Sequence, residues 1–298
     1  METLTQSLTQ KQLDFLPTET DIAFYEEHGW YISPKVISEE IIDLAIEGAE
    51  KFYRGERDAA LPVTTGYSNW KPEDGDIVRN NEFVSLQKKE LARLALQPII
   101  GAIAARLART SEVRLLDDQL VYKPPRDRNI NTTVGWHSDR AYWATCSSNK
   151  LLTAWIPFHD CDEARSPLVV LDKSHKWSGL EHVRHFNDPD LENLTGKFRG
   201  EGKQVVKVPM TLKKGQVSFH NCWTIHGSYP NRSDKFRLAL AVHLQDADNH
   251  YRPYKNQQER EIHIFDEQLC RKLANGDPDF SDPKVFPVLW SRDKAGCS

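Results

Sequence analysis

Two stretches of the chain alternate apolar and polar residues with a period of two. In FRLALAVHL (236–244), Arg237, Ala239, Ala241 and His243 interleave with Leu238, Leu240, Val242 and Leu244. In VRLLDDQLVYKPP (113–125), Gln119, Val121 and Lys123 share one face, with Leu120 and Tyr122 on the other. This spacing predicts strands that lay one face on a core. LLTAWIPFHD (151–160), PLVVLDKS (167–174), KQVVKVPM (203–210) and QVSFHNCWTIH (216–226) read as further strands. Upstream the period is helical. DIAFYEEHGW (21–30) predicts a short helix stopped by Gly29, followed by the extended segment YISPKVIS. Ser38 offers an N-cap to a helix over residues 39 to about 53, with Ile42, Ala45, Ala49 and Phe52 as its stripe. Pro98 opens another, buried through Ile99, Ile100, Ile103 and Leu107.

Between them, residues 54 to 85 read as a loop broken by Pro62, Gly66, Pro72 and Gly75, where Tyr67 and Trp70 are candidate substrate contacts with surface packing as the ordinary alternative. In the polar tail, FDEQLCRKLANG suggests a helix closed at Asn275–Gly276, and PDFSDPKVFPVLW is too rich in proline for a core strand. Short strands with Gly and Pro turns, preceded by helices, indicate a mainly β chain with α: a double-stranded β-helix (jelly-roll, cupin-like) with a helical N-terminal layer. The expected organisation is one domain over 1–298, with a helical part at about 18–110, a core at about 113–247 and a C-terminal extension at 248–298.

Composition narrows the function classes. A net charge of −4 lacks the basic footprint of nucleic-acid or membrane binders. No run of about 18 apolar residues occurs, and the N-terminus has no apolar leader region. Cys146, Cys161, Cys222, Cys270 and Cys297 are odd in number without a CxxC pair, which argues against a disulfide framework and fits a reducing, cytoplasmic setting.

Chemistry concentrates in GWHSDRAYW (135–143). On an extended strand, His137 and Asp139 leave from the same face, roughly 6.5–7 Å apart. An imidazole and a carboxylate so placed grip one divalent metal ion, and a second histidine completes the facial triad of non-haem Fe(II) oxygenases. His226 ends an apolar strand, and Arg237 opens the next strand eleven residues later, so a hairpin can return it to the same cavity. A buried guanidinium there requires an anionic partner, and a carboxylate held bidentately is the natural one.

Together these residues resemble the phytanoyl-CoA dioxygenase (PhyH) family of Fe(II)- and 2-oxoglutarate-dependent oxygenases over about residues 119 to 244, and more loosely in the helical part. The family's H-x-D stands here as His137, Ser138 and Asp139. Its distal histidine, small residue, serine and arginine stand as His226, Gly227, Ser228 and Arg237. The resemblance implies that His137, Asp139 and His226 bind iron and that Arg237 and Ser228 hold the far carboxylate of 2-oxoglutarate. Gln119 and Trp155 match positions near the co-substrate. In DEARSPLVVLDKSHK the chain departs from the family, with Arg165–Ser166 and Lys173 replacing smaller residues, which bears on the substrate mouth. The implied reaction hydroxylates or otherwise oxidises a C–H bond of a small molecule of secondary metabolism, consuming O2 and releasing succinate and CO2. Asp139 stands where halogenating relatives carry a small residue, so it favours hydroxylation over halogenation.

Each residue also has an ordinary role. His226 alone reads as a core histidine, Arg237 as a surface or salt-bridged residue, and Trp136, Tyr142, Trp143 and Trp223 as packing at the barrel mouth, with Tyr142 and Trp143 the candidate substrate wall. Arg140 on a continued strand faces away from the metal; after a turn it could grip a polar substrate, and Arg165 suits an anion as well. His159, His175, His220 and His243 are rival ligands without a strand-paired carboxylate and a following anion clamp; His220 shares a face with His226 if 216–226 is one regular strand, and could then support the ligands from behind. Two other classes stay open: a zinc hydrolase or metal-dependent isomerase on a cupin-like barrel, and a non-catalytic ligand-binding sandwich.

Overall fold

The computed structural model describes residues 8–63, 70 and 72–292. Helices Glu19–His28, Glu39–Tyr53, Lys89–Ala95 and Pro98–Leu107 form the N-terminal layer. Gly29 stops the first in the left-handed conformation, φ 80°, donating its N–H to the Tyr25 carbonyl. Ser38 caps the second by accepting from the Ile41 N–H.

In chain order the strands are β1 (Trp30–Ile32), β2 (Arg79–Glu82), β3 (Glu112–Lys123), β4 (Val134–His137), β5 (Leu152–Pro157), β6 (Val169–Leu171), β7 (Lys207–Pro209), β8 (Ser218–Asn221), β9 (His226–Ser228), β10 (Arg237–Asp246), β11 (Tyr254–Lys255), β12 (Glu261–Ile262) and β13 (Val288–Ser291). A seven-stranded antiparallel sheet runs β1-β8-β5-β10-β3-β13, with β2 also on β3. A four-stranded sheet, β4-β9-β6-β7, packs over it.

The alternation in β3 and β10 separates the two faces of the large sheet. Leu115, Leu120, Leu238, Leu240, Val242 and Leu244 face the helices and join Ile42, Leu91, Ile99 and Ile103 in the largest core. Burying each such side chain contributes roughly 1.5–3 kcal/mol, and a one-residue slip would turn the whole set to the wrong side. The other face looks at the small sheet. There Asp117, Gln119, Val121 and Lys123 of β3 pair with His243, Ala241, Ala239 and Arg237 of β10. Ala241 and His243 pair in turn with Trp155 and Thr153 of β5, and Thr153 pairs with His220 of β8. The polar residues of this face therefore look across at the small sheet.

Several expectations need correction. Residues 216–226 are two strands in different sheets, because Asn221 starts a turn: its carbonyl accepts from the Thr224 N–H and its side chain from the Trp223 N–H. The 54–85 segment contains β2, whose partner β3 supplies the order that its own sequence lacks. FDEQLCRKLANG is helical only over Asp266–Leu269, and a further helix spans Leu191–Gly200. The tail also reaches the large sheet: β13 pairs with β3 at its edge, where neighbouring prolines are tolerated. Cys146, Cys161, Cys222 and Cys270 are buried free thiols. Among the described residues no helix is long and apolar enough to cross a membrane.

Candidate active site

His137 is the last residue of β4 and pairs across the small sheet with His226, the first of β9. Ser138 stays extended (φ −110°, ψ 138°), so Asp139 leaves on the same side as His137 before the chain turns. The three side chains are buried, and each offers one ligand atom within 4.8 Å of the others; among the described residues they are the group that converges in this way. Glycines let neighbouring backbone close in on the two triad strands. A Cβ on Gly135 would lie 1.8 Å from the His185 carbonyl oxygen, and one on Gly227 would lie 2.7 Å from that of Val134.

The hydrogen bonds settle which atoms are free. His137 Nδ1 lies 2.8 Å from the Gly135 carbonyl and His226 Nδ1 lies 3.0 Å from that of Thr224. Each ring therefore carries its proton on Nδ1, and the Nε2 lone pairs point inward. Burial lowers both histidine pKa values, that of His226 well below its ordinary value, and keeps the rings neutral. On Asp139, Oδ2 accepts from the Thr153 hydroxyl at 2.5 Å and from His220 Nε2 at 3.2 Å. His243 Nδ1 donates to Thr153 Oγ1 at 2.8 Å, so the threonine relays its own proton toward the carboxylate. Burial would raise the Asp139 pKa; the close approach of His226, the His220 hydrogen bond and the nearby His243 overcome this and hold it well below the carboxylate range. That leaves Oδ1, 3.4 Å from His226 Nε2 and 3.9 Å from His137 Nε2. Two neutral nitrogens and one monodentate oxygen fit Fe(II).

Ser228 lies two residues beyond His226 on β9, roughly 6.5–7 Å along the same strand face. Two buried cations meet at its hydroxyl. Lys123 Nζ bonds Ser228 Oγ at 2.6 Å, Ser166 Oγ at 3.0 Å and the Tyr229 carbonyl at 3.0 Å. Arg237 Nη2 reaches Ser228 Oγ at 3.4 Å, while its Nε is buried without a partner. Neither cation has a carboxylate partner among the described residues. Burial lowers the Arg237 pKa to about 10; burial, and then Arg237, draws that of Lys123 well below its ordinary value. The Tyr53 hydroxyl, near enough to act on Arg237, is also buried and unpartnered. Trp155 packs beside the guanidinium, 5.8 Å from ring centre to Cζ, with Ala239, Ala241 and Met210 in the same apolar cluster.

A cavity of about 1170 Å³ opens onto His137 and Asp139 and is lined by Gln119, Tyr142 and Trp143 among others. Trp70 stands elsewhere, stacked on Arg79 and bonded to the Gly75 carbonyl. Arg140 has turned with the chain into a short 3-10 turn, but its guanidinium donates to the Trp143 and Cys146 carbonyls and borders a different cavity. Arg165 donates to the Phe236 carbonyl. Trp136 is core, bonded to Leu191 and Thr195. Tyr67 lies outside the described residues. His220 supports the triad from behind through Asp139, as one reading of its sequence position expected, but it does so from a different strand. Lys123, Thr153, Tyr53 and the part played by His243 escaped the sequence reading; for Lys123 a signal existed, since it shares a strand face with Gln119.

A double-stranded β-helix with a His-Asp-His triad and two buried cations beside it defines a non-haem Fe(II)/2-oxoglutarate-dependent oxygenase. The family profile "Phytanoyl-CoA dioxygenase (PhyH)" matches residues 25–239, and the chain belongs to this family. It is 25% identical over 233 residues to peroxisomal phytanoyl-CoA dioxygenase of Bos taurus, covering 76% of this chain and 68% of that protein. The Homo sapiens protein is 24% identical over 244 residues, covering 80% and 71%. Among solved structures, the α-ketoglutarate-dependent carbocyclase SnoK from nogalamycin biosynthesis superposes with a TM-score of 0.68 at 25% identity, covering 91% of this chain and 96% of that one. EctD from S. alaskensis, solved with 2-oxoglutarate and 5-hydroxyectoine, gives 0.62 at 20% identity over 85% and 83%. The protein is an iron- and 2-oxoglutarate-dependent dioxygenase.

Proposed function

We propose that the chain hydroxylates, or otherwise oxidises, an unactivated C–H bond of a small-molecule metabolite, a natural-product intermediate, with His137, Asp139 and His226 holding the iron. Arg237 and Ser228, backed by Lys123, hold the far carboxylate of 2-oxoglutarate. The observation that carries this reading is the pair of buried cations without a carboxylate, one strand step beyond His226. Zinc hydrolysis gives that pair no task. With iron bound, the co-substrate and O2 supply C–H oxidation coupled to decarboxylation of 2-oxoglutarate to succinate. The protein's own residues orient and shield. Thr153 and His220 fix Asp139, Gly135 and Thr224 carbonyls fix the histidine rings, and the Trp155 cluster excludes water from the clamp. Gln119 and Trp155 flank Ala241 on the sheet floor, where small side chains leave space for the co-substrate. Tyr142 and Trp143 form a substrate wall. Helical layer, core and tail act as one domain, a reading supported by the β13–β3 pairing. Work on a natural product is in keeping with the naming of SnoK.

The test is anaerobic titration with Fe(II) and then 2-oxoglutarate, followed by visible charge-transfer absorption and succinate release under air. A protein that binds zinc and gives no absorption with Fe(II) and 2-oxoglutarate would overturn the reading.

A further inference from the structure

One wall of the cavity beside the triad is acidic. Asp117 and Gln119 alternate onto the same face of β3, and Glu82 of β2 is paired with Gln119, whose Nε2 donates to Glu82 Oε1 at 3.4 Å. Asp266 arrives from the C-terminal segment and acts electrostatically on Asp117, as Glu82 does. All three carboxylates line the cavity that holds His137 and Asp139. Asp117 and Asp266 are only 5% and 6% exposed, and Asp266 Oδ1 is buried with no hydrogen-bond partner. None of the three forms an ion pair among the described residues, and Arg184, the cavity's guanidinium, lies 4.6 Å over the Tyr142 ring.

Asp118 next door shows what a structural acid looks like here. It faces the helices and takes both the N–H and the hydroxyl of Ser85. Asp117 and Asp266 have no comparable set of donors. Burial first, then the field of its neighbours, raises the Asp117 pKa well above the carboxylate range and that of Asp266 to about 7. Without a counter-charge such a desolvated wall holds on to its protons, and a cation in the cavity would favour the charged carboxylates. A single metal ion is a poor candidate for that role, since among the described residues His137, Asp139 and His226 are the group whose ligand atoms converge within 4.8 Å. A larger cation fits better, and Trp143, Phe186 and Phe265 add aromatic surface to the same cavity.

We propose that Glu82, Asp117 and Asp266 form a subsite for a positively charged nitrogen of the substrate, so that this enzyme oxidises an organic amine or guanidine rather than an acyl-CoA thioester. This deepens the dioxygenase reading and rests on it. The curated relatives are named for a CoA thioester, and an acidic wall gives its several negative charges no counter-charge.

The test uses protein loaded anaerobically with Fe(II) and 2-oxoglutarate and titrated calorimetrically with matched probes: 2-phenylethylamine, 2-phenylethanol, 3-phenylpropanoate and decanoyl-CoA. The amine is expected to bind at least about tenfold more tightly than the alcohol, ~1.4 kcal/mol, with the anions weaker still. Asp266→Asn and Asp117→Asn should each reduce that preference about threefold or more, and the double variant should abolish it. Asp118→Asn, on the opposite face, should keep it. Equal binding of amine and alcohol, tighter binding of either anion, or a preference surviving in the double variant overturns the subsite. Visible absorption on adding 2-oxoglutarate is read separately: its absence from wild-type protein overturns the dioxygenase reading, while the amine preference, measured on metal-free protein, still decides the subsite.

Discussion

Replacing Arg237 by Met should move co-substrate affinity and fold stability in opposite directions. The guanidinium is 3% exposed, has one long hydrogen bond to Ser228 and leaves Nε unpartnered. Burial draws its pKa from 12.5 to about 10. At 1.36 kcal/mol per pKa unit, the folded protein bears a penalty of about 3 kcal/mol for keeping this charge. Met fills a similar volume without it, so metal-free Arg237→Met is expected to melt at the wild-type temperature or a few degrees above. Co-substrate binding should suffer. Truncating one partner of a buried, hydrogen-bonded charge pair costs about 2–5 kcal/mol, or about 30-fold to several thousand-fold in 2-oxoglutarate affinity. Anaerobic absorbance titration reads the affinity, and differential scanning calorimetry of the metal-free protein reads the stability. Affinity within about threefold of wild type, or a melting temperature lowered by more than about 5 °C, would refute the reasoning; the latter would make Arg237 a structural residue.

Further outcomes follow from the same geometry. Thr153→Val removes the hydroxyl that orients Asp139 and should weaken Fe(II) binding about 10- to 100-fold in a metal competition assay, with the fold retained. Gly135→Ala pushes a methyl into the His185 carbonyl and should cost about 3 kcal/mol in urea unfolding, because backbone on both sides must move. Asp118, with an ordinary pKa of 3.8 and a folded one of about 6, binds its proton more tightly when folded, so its contribution to stability is complete below pH 3.8 and is lost as pH rises through 6. Asp118→Asn should therefore gain up to about 3 kcal/mol on wild type between pH 4 and pH 7 in unfolding titrations; a difference independent of pH would refute this.

The sequence determined the local half of the site. His137 and Asp139 had to share a face because an extended residue separates them, and Arg237 had to share a face with His243 because β10 alternates without interruption through that point. Period two is a property of the backbone itself, so it survives whatever the strand packs against. The same local rule placed Leu120 of β3 and the leucines of β10 under the helices, whereas Leu115, in step with Asp117 by sequence, gets there only through a bulge in β3. It failed at His220, where an asparagine turn moves the chain to another sheet, so that His220 meets Asp139 across the barrel instead of along a strand.

Tertiary structure alone decided the rest. Lys123 and Arg237 become neighbours through strand pairing, and burial with no carboxylate partner among the described residues is what makes them the proposed anion clamp. Glu82, Asp117 and Asp266 come from a segment read as a loop, a strand and the tail, and no spacing connects them. Their charge acquires meaning from the shared cavity, where desolvation makes an unpaired carboxylate expensive in a way that no linear pattern records.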